Sequence, residues 1–453
     1  MKKFITTLKN IWKIEELRNR ILFTLAILMV YRFGCFVVLP GVVPEALQAA
    51  TSNQGNDLFG LINMFTGGAF NKAAIFALGI MPYITASIII QLAGFAVPYF
   101  QRLQQREGES GRKKITQITR MLTVAITLVQ GGGYLTWVMS QPGAVDPSVP
   151  NFVFWFSNII ILSTGTILAM WLGERITDKG IGNGISLLIM IGIIAELPRA
   201  LAYEFTNQFG LAFVIEMAAL FMVVLATVMI VQAVRRIPIQ FAKRVIGRGA
   251  KQMPNAGNRD YIPVKLNASG VMPIIFAQAL MFLPATVLQF LSGNNADGGT
   301  SDFLASLNDF TSAPYNIIYF ILVVVFTYIY TALLVNPQQY AEYLKRQNAF
   351  IPGIKPGKNT ADFIDTITTR ITLPGSLSLA LIAILPAFAA AAGVNISFAL
   401  FFGGTSLLIL VGVVLDTLQQ IESYLLMRKY DGLVKSGKLK GRSSGVQGIG
   451  ASM

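Results

Sequence analysis

The sequence predicts an all-α polytopic membrane protein with ten transmembrane helices in two inverted halves of five. Three observations carry this. The 453 residues are 54% hydrophobic and only 13% charged, where a soluble domain is roughly a quarter charged. The charges are squeezed between apolar runs of about 20 residues, the length that crosses ~30 Å of hydrocarbon. If ten spans alternate in direction, 33 of the 36 Lys and Arg residues fall on one side. A barrel would show alternating segments of ~10 residues, and none occurs.

The spans lie near 20–40, 75–98, 118–139, 153–172, 182–203, 212–234, 268–291, 315–335, 371–391 and 398–420. The first is too long for a cleavable signal, and no small-x-small exit precedes Pro40. Before the second, "LFGLINMFTGGAF" (58–70) is apolar but too short to cross. Such a segment suits a re-entrant position, because irregular backbone at membrane depth needs protein or a wet cavity around it. The second span, "IFALGIMPYITASIIIQL" (75–92), carries a Gly79-x-x-Pro82 break, an i, i+4 pair in Ile80 and Ile84, and the polar residues Thr85, Ser87 and Gln91. The turn between spans four and five, "MWLGERITDKGIGNGISLLI" (170–189), ends on a second such pair, Ile185 and Ile189. Its glycines follow a membrane helix rather than a strand, which excludes a nucleotide loop and suggests a tight turn.

Five spans per half force the second half to enter upside down, as in proteins with inverted repeats. The expected division is 1–203 for the first half, 204–211 for a hinge connection, 212–426 for the second half and 427–453 for a basic tail. Two long basic loops, 235–267 and 336–370, belong to the second half. The positive-inside rule puts both termini in the cytoplasm.

There is no histidine and one cysteine, Cys35. That removes imidazole acid–base chemistry, His-dependent nucleophiles, zinc sites and disulfides within the chain, so neither an enzyme nor a bound cofactor is expected. Charges inside spans are few, among them Arg32, Glu216 and Asp416. A coupled small-solute carrier, the alternative that inverted halves allow, needs paired ionisable groups near the midplane.

The stretches 75–92 and 170–189 resemble two signature stretches of the SecY/Sec61α family, the central subunit of the protein-conducting channel. "LNASGVMPIIFA" (266–277), "YTALLVNP" (330–337), "AFIPGIKPG" (349–357), "TRITLPGSL" (369–377) and "FGGTSLLILVGV" (402–413) extend the resemblance in family order. It implies a central pore in a bacterial plasma membrane that passes unfolded secretory polypeptides bearing a signal sequence and releases transmembrane segments into the lipid bilayer. It also implies a pore ring of Ile80, Ile84, Ile185, Ile189, Ile275 (beside Ile274) and Ile409, and a plug at about 58–72 containing Asn63, Gly67 and Gly68. A lateral gate would be flanked by Thr85, Ser87 and Gln91, with Gln278 opposite. Lys243, Arg244, Arg248 and Lys355 would dock the ribosome or the SecA motor ATPase, and SecE-like and SecG-like small membrane subunits would complete the channel. Two positions depart from the family pattern. Lys355 stands where arginine is usual and lacks its planar fork, and Gln232 stands where an acidic residue is often found.

Overall fold

The computed structural model describes residues 12, 14–52, 58–105, 108–207, 210–241, 259–278, 280–281 and 309–435. Helices carry most of them. In chain order they are α1 (Glu15–Gly34), α2 (Pro44–Ser52), α3 (Leu58–Thr66), α4 (Met81–Ala96), α5 (Pro98–Gln105), α6 (Gly108–Ser140), α7 (Asn151–Lys179), α8 (Gly184–Asn207) and α9 (Leu211–Gln232). After a helical run at 272–278 come α10 (Ala313–Leu334), α11 (Pro337–Arg346), α12 (Lys358–Ala391), α13 (Ile396–Ala399) and α14 (Gly404–Lys435).

Among the described residues, seven helices are long and apolar enough to cross a membrane, and Met81–Gly94 is a shorter apolar one. Two of the ten expected spans are missing from that set for identifiable reasons. Helix α1 carries Glu15, Glu16, Arg18, Arg20 and Arg32 on 20 residues. The seventh expected span is described only at 268–278 and 280–281.

Several boundaries differ from expectation. The second span does not begin at 75. Residues 67–80 form successive turns, and the helix starts at Met81 with Pro82 in its first turn, where proline's missing N–H leaves no bond unmade. The Gly-x-x-Pro break is therefore the start of a helix, not a kink within one. The expected hinge at 204–211 is also shorter, since α8 continues to Asn207 and α9 begins at Leu211. The tail begins as helix, because α14 runs on to Lys435.

The departure from an all-α fold lies in the long loops. Strands β1 (Val234–Phe241), β2 (Arg259–Lys265) and β3 (Ala349–Phe350) form an antiparallel sheet in the order β2-β1-β3. Its register pairs Ile237 with Ile262 and Gln240 with Phe350. Ile237 and Ile239 alternate inward and pack with Leu344, Ile351 and Ile364, so α11 and α12 cover one face. β3 pairs only with Gln240 and Phe241, so Pro238, which has no N–H to give, stands outside that ladder.

The main apolar cluster draws on α1, α3, α4, α7, α8, α10, α12, α13 and α14. A second cluster, around Leu39, Phe70, Tyr134, Phe154 and Leu162, fixes the turns that follow α3.

Candidate functional site: a buried apolar seam with a short helix packed into it

The isoleucine pairs sit where helices begin. Ile80 caps α4, and the Ile84 N–H donates to its carbonyl at 3.1 Å, which stacks the two side chains on one helix edge. At the start of α8, the Asn183 side chain accepts from the Ile185 N–H at 3.2 Å, and Gly184 N–H donates to Thr177 Oγ1 at 2.9 Å. Gly182, with φ +84°, turns the chain there and donates to Gln420 Oε1 at 2.8 Å, while Ile181 N–H reaches Thr24 Oγ1 at 3.1 Å. The glycine-rich connection is thus a tight turn tied to α1 and α14.

All six expected ring residues belong to one apolar cluster. Ile80, Ile84, Ile189 and Ile409 are buried within it, and Ile185 and Ile275 pack against it half-buried. Ile274, the neighbour of Ile275, is fully buried. Met64 and Phe65 of α3 enter the same cluster, so the short helix packs into the seam.

The turn after α3 is bonded on every side. Gly67 (φ +64°) and Gly68 (φ +85°) adopt left-handed backbone that favours glycine. Gly68 N–H donates to Asn63 O at 2.9 Å, and Asn63 Oδ1 accepts from Asn71 N–H at 3.0 Å. Arg32 Nη1, from α1, donates to Gly67 O at 2.6 Å. Gly192 of α8 lies against the Phe65 carbonyl, where a Cβ would not fit. Downstream, Tyr134 OH donates to Phe70 O at 2.7 Å, Leu39 N–H to Ala73 O at 2.8 Å and Ile75 N–H to Val37 O at 2.9 Å.

The residues expected to flank a gate divide. Thr85 Oγ1 bonds its own helix at Met81 O. Gln91 donates to Ser87 Oγ at 3.2 Å and accepts from Tyr330 OH, on α10, at 3.0 Å. Gln278 is buried in the wall of a cavity with Tyr315, Tyr319 and Pro386. Tyr330 was missed by sequence reasoning, although "YTALLVNP" begins on it. Its ring centroid lies 5.5 Å from that of Phe276, which joins α10 to the 272–278 run. Lys355 is exposed near the sheet, and its carbonyl accepts from Thr360 Oγ1 at 3.0 Å. Lys243, Arg244 and Arg248 lie outside the described residues.

Membrane-length helices around a buried apolar seam, with a short helix and irregular backbone packed into it, define the class: the fold is that of the protein-conducting channels. A SecY structure whose plug domain is reported to stabilise the closed state and maintain a membrane seal matches with a TM-score of 0.62 at 17% identity, over 95% of both chains. Canine Sec61 from a ribosome–channel complex matches at 0.57 and 16%, over 95% of both chains. The family model described as SecY matches residues 74–418. The protein translocase subunit SecY of Streptomyces coelicolor is 43% identical over 449 residues, covering 95% of this chain and all of the relative. That of Chlamydia muridarum is 38% identical over 465 residues, covering 97% of this chain and all of the relative. The chain belongs to the SecY family.

Proposed function

We propose that this chain is the pore-forming subunit of a bacterial protein-conducting channel, passing unfolded secretory polypeptides across the plasma membrane and releasing transmembrane segments sideways into lipid. The observation that carries the reading is the single apolar cluster shared by six isoleucines from four elements and by Met64 and Phe65 of the short helix. Branched apolar side chains around a narrow passage hold little water, so an idle pore resists ions yet can widen around an extended chain without binding it specifically.

In this reading Ile80, Ile84, Ile185, Ile189, Ile275 and Ile409 are the ring, and α3 with Asn63, Gly67 and Gly68 is the plug. The seam beside Ser87, Gln91 and Tyr330 is the lateral gate. Residues 1–203 and 212–426 are the halves that part. The subunit performs no chemistry and needs no cofactor. Work comes from a SecA-type motor or an elongating ribosome, and SecE-like and SecG-like subunits complete the complex. The positive-inside bias supports cytoplasmic termini and turns the β1–β2–β3 sheet, with Lys355 and the basic residues of 242–258, toward those partners. Nothing favours a solute carrier. The two acids brought together, Glu204 and Glu216, lie at the ends of the α8–α9 hairpin rather than mid-bundle.

One test places a cysteine at Ile189 in a Cys35→Ser background and stalls a secretory chain partway through export. A crosslink that requires both a signal sequence and motor or ribosome is expected. No crosslink at position 189, 84 or 409 in membranes that export normally would overturn the ring.

A further inference from the structure

The Gly67–Gly68 turn is held between two opposite charges from different helices. Arg32 Nη1 donates to the Gly67 carbonyl at 2.6 Å and occupies the space that a side chain on Gly67 would need. At the next residue Glu196 of α8 fills the corresponding space, with Oε1 2.5 Å from where a Cβ on Gly68 would stand. No ion pair within 4.0 Å joins Arg32 to Glu196 among the described residues; the two side chains flank adjacent residues of the turn.

The bonds on either side of this turn are unequal. Residues 70–75 are tied by Tyr134, by the paired strand-like contacts at 37–39 and by the second apolar cluster. Beyond its own helical bonds, α3 is held by apolar packing, by Cys35 Sγ at Thr66 O (3.8 Å), by the bonds that Asn63 and Thr66 accept from Gly68, Phe70 and Asn71, and, at the residue that follows it, by Arg32 on Gly67 O. A swing of α3 that pivots at Gly67–Gly68, the two residues already in the left-handed backbone that glycine adopts freely, breaks the bonds of Asn63 and Thr66 to Gly68, Phe70 and Asn71 and leaves the contacts of 70–75 with Tyr134 and 37–39 in place.

We propose that Arg32 and Glu196 are a two-position latch: Arg32 holds the Gly67 carbonyl while α3 is seated, and pairs with Glu196 once the turn has moved out from between them. The inference rests on reading α3 as the plug. The exchange replaces one charge-assisted bond with another, so the guanidinium keeps a partner in both states. An unpartnered buried charge is the outcome that low-dielectric surroundings penalise most. Arg32 is thus a positioning residue for the plug, and Glu196 its receiver.

The test measures ion conductance of the intact channel complex in planar bilayers, at rest and after a stalled polypeptide is released. Deleting residues 58–66 should leak at rest, and a deletion that stays sealed would remove the plug reading and the latch with it. Arg32→Met should raise resting open probability roughly ten- to a hundredfold, the range set by loss of one hydrogen bond to a charged group, with Arg32→Lys between it and the native chain. Glu196→Gln should stay sealed at rest but close sooner after release. In the Arg32→Met background, Glu196→Gln should then change nothing further. A leak from the deletion without one from Arg32→Met, or a Glu196→Gln effect that persists without Arg32, would overturn the latch while leaving the plug intact.

Discussion

Gly165, in the middle of α7, has Ile75 backed directly against it: a Cβ there would meet the Ile75 carbonyl and its Cγ2, the latter at 2.8 Å. Ile75 cannot retreat freely, since its N–H is bonded to Val37 O at 2.9 Å. Gly165→Ala should therefore push the irregular 67–80 backbone off its neighbours. Overpacking of this kind costs about 1–3 kcal/mol. A lower thermal midpoint in detergent and faster proteolysis within 67–80 are expected. Gly60→Ala is the matched control, because nothing lies within 4 Å of its added Cβ. Inside a helix that change should be neutral or stabilising by up to about 1 kcal/mol. Equal destabilisation by both would mean that close approach at Gly165 is not what fixes the turns.

Between elements, the contact to test is the one joining α4 to α10 through Gln91 and Tyr330. Tyr330→Phe keeps the ring against Phe276 and removes only the hydroxyl that donates to Gln91 at 3.0 Å. Interhelical hydrogen bonds within a bilayer are worth about 0.6–2 kcal/mol. If this seam opens laterally, export of a chain with a weakened signal sequence should rise about threefold to thirtyfold. Unchanged export, with stability lowered by a similar amount, would make the pair ordinary packing. The same elements show what the sequence could reveal. The apolar runs and charge clusters were legible because 20-residue hydrophobicity is dictated by the solvent, so seven spans emerged, although helices α6, α7 and α12 run 7 to 13 residues beyond the expected ends into charged sequence. The start of α4 was not, because residues 75–80 are as apolar as a helix, and what holds them as turns is contact with distant residues: Ile75 with Val37 and Gly165, and Gly79 with Thr66. The sheet was missed because β1 continues the α9 run through a short alternating stretch whose inward face exists only once α11 and α12 cover it. Gly67 and Gly68 were visible as unusual, whereas their neighbours Arg32 and Glu196 are 35 and 128 residues away in sequence and had to be brought there by the fold.

At the scale of the whole molecule, α4, α8, α14 and the 272–278 run meet at the isoleucine cluster, and if that cluster is the proposed ring, its chemistry decides whether an idle channel holds a membrane potential. Two explanations of a seal are separable. A steric seal fails when a side chain shrinks, whereas a dewetted seal fails when water gains a partner. Valine and threonine have nearly the same shape and differ by a hydroxyl, so Ile189→Val and Ile189→Thr open the same gap with and without a polar group. Both should lose stability, the valine variant by about 0.5–1.5 kcal/mol. Only Ile189→Thr should raise the resting ion conductance of the complex in a planar bilayer, and pairing it with Ile84→Thr should raise it further. Ile176→Thr, buried in the same cluster on α7 but outside the six, should destabilise without leaking. Equal leakage from the valine and threonine variants would make the seal steric. It would then rest on how well α3 fills the seam rather than on the apolar character of the ring.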